Sequence, residues 1–213
     1  MSKEIETTAE GRSVDRRALL RAVAGAIVLA PGAAQAQRTE RAGSVEDIRG
    51  EAYAVREAAR RELERTAPLF INELVGTGAD SRLTMHLGKD TTLRLGAQAR
   101  LTLDRLLVNA GGEVTLQSGP MLFNRPAGSA PARMQIQTSY GLIAVRGTRF
   151  FAGPSAGVFG VFVERGSVVV SAASRNVTLR AGQGTNIAAP GDAPTPAAPW
   201  KPERIRAAFE SVT

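Results

Sequence analysis

The chain has 213 residues, 27 basic and 20 acidic side chains, one His and no Cys. Those counts exclude a disulfide framework, an iron–sulfur cluster, a thiolate nucleophile, a cysteine-rich zinc site and a multi-histidine metal centre within one chain. The length suits one domain, and 43% hydrophobic with 22% charged residues is a globular composition. A pI near 10.9 points first to nucleic acid or an anionic surface. Arg, however, supplies 24 of the 27 basic residues and Lys only 3, a bias that a GC-rich coding sequence also produces.

Residues 1–36 read as an export signal. A polar start leads into Asp15-Arg16-Arg17-Ala18-Leu19-Leu20-Arg21, an apolar run from Ala22 to Ala30, and a small-x-small site at Ala34-Gln35-Ala36. The paired arginines followed by x-Leu-Leu-Arg resemble the twin-arginine signal, which predicts folding in the bacterial cytoplasm, export, and cleavage after Ala36. An uncleaved anchor would need about 20 apolar residues, and Pro31, Gly32 and Gln35 interrupt the run. Residue 37 is Gln, so no lipid-anchored form is expected. Cleavage leaves a chain with a net charge of +6, against +7 before it. The expected location is periplasmic, with no stable membrane insertion once the signal is removed.

Residues 37–43 read as a disordered linker and 44–188 as the β-domain. The segment Glu51 to Thr66 is ambiguous, because its Ala, Glu and Arg favour helix while Tyr53 and Val55 alternate as in a strand. Local propensity is a weak prior, so a strand is predicted from near Ser44 through Arg56, then a turn or helical bend before Pro68. Beyond Ser81 the chain shows short alternating runs: Leu83 to Leu87, Leu93 to Leu95, Leu101 to Leu103, Val114 to Leu116, Val161 to Val163, Val168 to Val170 and Val177 to Leu179. Apolar side chains two apart are the period of half-buried strands, and glycine-containing turns separate them. The expected fold is all-β, many short strands in a sandwich, jelly roll or β-helical stack. Five of the 11 prolines fall between Pro190 and Pro202, marking 189–202 as a stiff connector. A C-terminal helix is predicted over 203–213, with Ile205, Phe209 and Val212 on one face. A helix that short is marginal alone, so it should dock on the β-domain, with Trp200 as an anchor.

Candidate chemistry is thin. Gly153-Pro154-Ser155-Ala156-Gly157 has the G-x-S-x-G form of a nucleophile elbow, but that motif needs a following helix and a later His. Here another strand follows, and His86 precedes Ser155. His86 sits opposite Leu83, Met85 and Leu87 in its run, as an outward or hydrogen-bonded strand residue. Asp80, Asp90, Asp104, Glu113 and Glu164 are the acids available for a glycosidase-type pair, which needs a separation of about 5 to 9.5 Å. Four of the seven Phe, namely Phe150, Phe151, Phe159 and Phe162, flank the Gly-Pro loop. They form either a ribbon buried between layers or, through Phe151 and Phe162, a partner surface with one face exposed. Scarce Tyr and Trp do not make the aromatic-and-basic platform of a single-strand binder. Gly147 in a strand pattern permits close backbone approach. Arg146, if buried, would need a carboxylate such as Glu164 or Glu113.

Four segments, read in order, resemble the FecR domain. Thr77-Gly78-Ala79-Asp80-Ser81 resembles its TG-x-x-S opening. Tyr140 to Phe150, with Ala144-Val145-Arg146-Gly147-Thr148, resembles its AVRGT-x-F strand pair. Val163-Glu164-Arg165-Gly166-Ser167-Val168 resembles its V-x-E-G-x-V hairpin with Arg165 inserted. Leu179 to Gly184, around Gly182, is similar to its closing turn with Gln183 for Glu, and Leu93 to Gly96 adds a fifth piece. The resemblance implies an extracytoplasmic β-domain of a regulator that relays ferric-chelate signals from an outer-membrane receptor. It marks Thr77, Gly78, Ser81, Gly96, Arg146, Gly147, Thr148, Glu164, Gly166 and Gly182 as motif residues of structural character. Too little chain precedes the paired arginines for the family's anti-sigma segment, so that activity is not carried over. The expected protein is a non-enzymatic periplasmic binding or sensing module for a protein or envelope partner. It would have no cofactor, no metal and no nucleic-acid ligand. An envelope polysaccharide-binding or -modifying β-domain is the alternative.

Overall fold

Alternation of apolar and polar residues produces sixteen strands and one helix in the computed structural model, which describes residues 40–107, 111–129 and 133–213. The export signal, its cleavage site at Ala36 and the start of the expected linker lie outside the described residues. The strands are β1 (Arg41–Arg49), β2 (Ala52–Arg56), β3 (Ala59–Glu62), β4 (Pro68–Phe70), β5 (Leu74–Thr77), β6 (Arg82–Leu87), β7 (Thr91–Leu95) and β8 (Arg100–Leu107). They continue with β9 (Gly111–Ser118), β10 (Met121–Asn124), β11 (Arg133–Thr138), β12 (Gly141–Ser155), β13 (Val158–Ala172), β14 (Arg175–Arg180), β15 (Gln183–Ile187) and β16 (Ala198–Pro199). Helix α1 (Pro202–Glu210) follows. With 62% strand and 5% helix, the fold is all-β, many short strands and a short C-terminal helix, as the sequence predicts.

All strands join one mixed sheet in the order β3-β2-β5-β8-β9-β11-β12-β10-β7-β6-β1-β4, with β13 branching from β12 to β14 and β15, and β16 beyond β15. Neighbours pair antiparallel except β9 and β11, which are parallel. The sheet curls onto itself, since β1 and β8, remote along the strand order, touch. One face therefore turns inward. Leu83, Met85 and Leu87 of β6, Leu93 and Leu95 of β7, Leu101 and Leu103 of β8, and Val114 and Leu116 of β9 all bury there. Phe123 and Phe150 meet at 5.3 Å between centroids in the same core.

Two local expectations need correcting. The segment after Arg56 is not a helical bend: Glu57 and Ala58 turn with positive φ, and β3 pairs with β2. Its helix-favouring residues are held extended by tertiary contacts, with Arg60 over the Tyr53 ring at 4.0 Å and Arg61 hydrogen-bonded to Glu73 at 2.8 Å. The expected linker 37–43 is strand from Arg41, because Arg41 and Gly43 pair with Phe70 and Leu69 of β4. The Pro-rich stretch is pinned to the sheet: Thr195 N donates to Asn186 O at 2.9 Å, Thr185 Oγ1 donates to Thr195 O at 2.6 Å, and Ala198–Pro199 pairs with β15.

Candidate functional site

The motif residues do not converge on one site. Thr77 and Ser81 form a hydrogen-bonded junction between turns. Thr77 Oγ1 donates to Gly96 O at 2.6 Å and accepts from Ala99 N at 2.9 Å. Ser81 Oγ donates to Ala79 O and accepts from Glu51 N, both at 2.9 Å. Gly78 N donates to Glu51 O. Gly182 turns β14 into β15, with its N–H donating to Val163 O at 2.8 Å.

Arg146, Gly147 and Thr148 lie where the β12–β13 register shifts. The Arg146 side chain lies outside the described residues. Its suggested partners are engaged elsewhere: Glu164 pairs with Arg149 at 2.6 Å and Glu113 with Arg105 at 3.9 Å. Gly147 does not serve close approach, since no atom would lie within 4 Å of a Cβ there. It adopts φ +59°, which favours glycine. Close approach falls at Gly166 instead, where a Cβ would meet Thr148 Cγ2 at 2.6 Å. Thr148 is fully buried, and its Oγ1 has no hydrogen-bond partner among the described residues.

Phe151 and Phe162 are not a partner surface. They point to the outer face of the sheet, where the chain's own C-terminal segment covers them, leaving 0% and 3% exposed. Trp200 stacks on Phe162 at 5.3 Å and meets Phe151 edge-on at 6.4 Å. The indole needs two bare backbone positions beneath it. A Cβ on Gly160 or Gly184 would come within 2.7 or 2.3 Å of its ring atoms. Arg204 lies 3.6 Å from the indole centroid and donates to Ser155 Oγ at 3.0 Å and Asn186 Oδ1 at 2.8 Å. Burial there lowers the Arg204 pKa below the ordinary arginine value.

The catalytic candidates lie apart from one another, each in a local contact. Ser155 ends β12 at a hairpin tip, tied to Arg204. His86 is exposed on β6, bonded to Glu46 at 3.1 Å and facing Thr92. Asp90 pairs with Arg125 and Asp104 accepts from Thr115. Among the described residues, no group of three or more His, Asp or Glu could hold a metal ion.

One concavity was not singled out in the sequence. A cleft of about 380 Å³ opens at the rim, lined by Gln117 and Ser118 at the end of β9, Ser139 and Tyr140 in the β11–β12 turn, Pro154, Val158 and Phe159 at the β12–β13 tip, and Ala188 after β15. That volume is within the range of ligand pockets, roughly 300–1,000 Å³. Tyr140 and Phe159 stack at 4.5 Å and 9°. The turn that aims Tyr140 is fixed by Thr138, whose Oγ1 accepts from Tyr140 N and donates to Gly141 O. Apolar walls and neutral donors line the cleft, with no carboxylate or imidazole among them. Such a lining holds a ligand by burial and hydrogen bonding. The lining comes from turns up to seventy residues apart, and the only sequence signal was a lone Tyr before Gly141.

No curated protein matches the chain. Two solved structures share its fold, both of a "putative anti-sigma factor" from Parabacteroides distasonis, each with a TM-score of 0.52, at 13% and 14% identity. The alignments cover 64% of this chain and 64% or 63% of theirs, so it spans under two thirds of those neighbours. The family model described as FecR protein matches residues 73–169, from the end of the β4–β5 turn into β13. The resemblance of this sequence to the FecR family is therefore shown, and it runs over residues 73–169.

Proposed function

We propose that this chain is a non-enzymatic, periplasmic FecR-type sensing module that binds a protein partner through the Tyr140–Phe159 cleft. The observation carrying this is the cleft itself: apolar walls and an aromatic pair, with hydroxyls at the rim and no carboxylate or imidazole. A partner's apolar side chain would enter between Tyr140 and Pro154, with Gln117 and Ser139 placed to hydrogen-bond its backbone. Export through the twin-arginine signal, with cleavage after Ala36, belongs to this reading. It would bring the module to partners in the envelope. The FecR match and the anti-sigma description of the structural neighbours support a place in signalling.

The test is photocrosslinking in intact cells, with a benzophenone amino acid in place of Gln117. One discrete adduct is expected, lost when Tyr140→Ala is added while the unfolding free energy falls only by the value of one ring stack, about 0.5–1.5 kcal/mol. An adduct unchanged by Tyr140→Ala would sink the cleft. Salt-sensitive sedimentation with purified peptidoglycan, and no adduct, would favour the polysaccharide alternative.

A further inference from the structure

A second site lies on the outer face of β1, β6 and β7, away from the cleft. Strand alternation sends Leu83, Met85, Leu93 and Leu95 inward and Arg82, Thr84 and Arg94 outward. Arg49 stands directly opposite Arg82 across β1–β6, and Thr84 is opposite both Asp47 and Arg94. With Val212 and Thr213 these five side chains line a pocket of about 130 Å³.

The charges in it are unbalanced. Like charges directly opposite each other on paired strands are destabilising, and Arg49 and Arg82 meet in that way here. The guanidinium groups of Arg49 and Arg94 make no ion pair or hydrogen bond among the described residues. Arg82 donates only to Ser81 O, at 2.9 Å, and its Nε is buried without a partner. Asp47, the one acidic side chain in the lining, is already paired with Arg65 at 3.3 Å. The fold therefore holds three arginines from three strands around one small space with their donors unspent.

We propose that this pocket binds a phosphate group. One guanidinium fork saturates a carboxylate, whereas three forks and the Thr84 hydroxyl approaching from different strands suit a tetrahedral anion with oxygens on every side. Asp47 sharpens the choice. Phosphate near neutral pH carries a proton that a carboxylate can accept, whereas sulfate carries none and is repelled. The site is independent of the Tyr140 cleft, and loss of either leaves the other standing.

The test is calorimetric titration of the full chain with inorganic phosphate and with sulfate at constant ionic strength. Saturable one-to-one phosphate binding is expected, at least tenfold tighter than sulfate. Arg94→Gln and, separately, Arg49→Gln should each weaken it at least tenfold. Both variants should melt no lower than the parent without phosphate, since each relieves repulsion. Asp47→Asn should bring sulfate to within threefold of phosphate. Vesicles of phosphatidic acid, a phosphomonoester that keeps a proton near neutral pH, against phosphatidylcholine, identify the source. Sedimentation with the former, lost in Arg94→Gln, means a lipid phosphate; phosphate binding without sedimentation means a free or small-molecule one. Absence of saturable binding to both phosphate and vesicles, or binding unchanged in Arg94→Gln and Arg49→Gln, would overturn the proposal.

Discussion

The sheet buries apolar side chains on both faces by different means. Its inner face is mostly aliphatic, with Phe123, Phe150 and Phe159 among the aliphatic side chains, spread over nearly every strand from Ala42 to Ile187, and closed by the sheet's own curl. Its outer cluster is small and aromatic. Leu122, Phe151 and Phe162 sit under Trp200, Ala208 and Val212, which arrive from beyond the Pro-rich connector. The inner core is made by pairing, so each strand contributes a little and depends on its neighbours. The outer cluster is made by docking one segment. Helix α1 brings Glu203 to its first turn but no side-chain cap and no basic residue in its last turn, so burial of its apolar face is what keeps it helical. The two regions should accordingly unfold in different ways, the inner with the whole domain and the outer by local release.

Substitutions can break that distinction. The largest effect is expected from Phe150→Ala, which removes a fully buried ring from its contact with Phe123. A loss of about 3–5 kcal/mol is expected in urea unfolding, with amides of β7, β10 and β13 losing exchange protection together. Trp200→Ala should cost less, about 1–3 kcal/mol, because the penalty is capped once α1 is released. Amides of α1 should then exchange fast while those of β6 and β7 keep parental protection. Equal acceleration in β6 would mean one cooperative unit and would remove the distinction. The smallest effect has the opposite sign. Thr148→Val replaces a buried, unpartnered hydroxyl in the inner face with an isosteric methyl, and a gain of about 0.5–1.5 kcal/mol in urea unfolding is expected. A loss there would show that the hydroxyl does find a partner in solution.

The inner face was legible in the sequence because a period of two is a local property. Leu83-x-Met85-x-Leu87 needs no knowledge of its neighbours to declare which side it buries. Strand β3 was not, because Ala59 to Glu62 carries no apolar alternation and is extended only through Tyr53, Glu73 and its pairing with β2. The docking of α1 was half legible, since Ile205, Phe209 and Val212 share a helical face but give no address. The address is written in Gly160 and Gly184, whose missing side chains admit Trp200 and which read locally as ordinary strand glycines. Both candidate sites escaped for the same reason. The Tyr140 cleft collects residues from separate turns, and the three arginines meet only through the β1–β6–β7 register. Arg49, Arg82 and Arg94 look in sequence like three of 24 scattered arginines.

The clasp of Arg204 on Ser155 spans 49 residues of chain, and that separation sets an order of events during synthesis. At roughly 5–20 residues per second, about 2–10 seconds pass between emergence of the β12–β13 tip and of the residue that fastens over it. Phe162 and strands β13 to β16 are themselves made in that interval, so the sheet and its outer aromatic cluster are completed together, and Phe151 and Phe162 stay uncovered until Trp200 and α1 emerge.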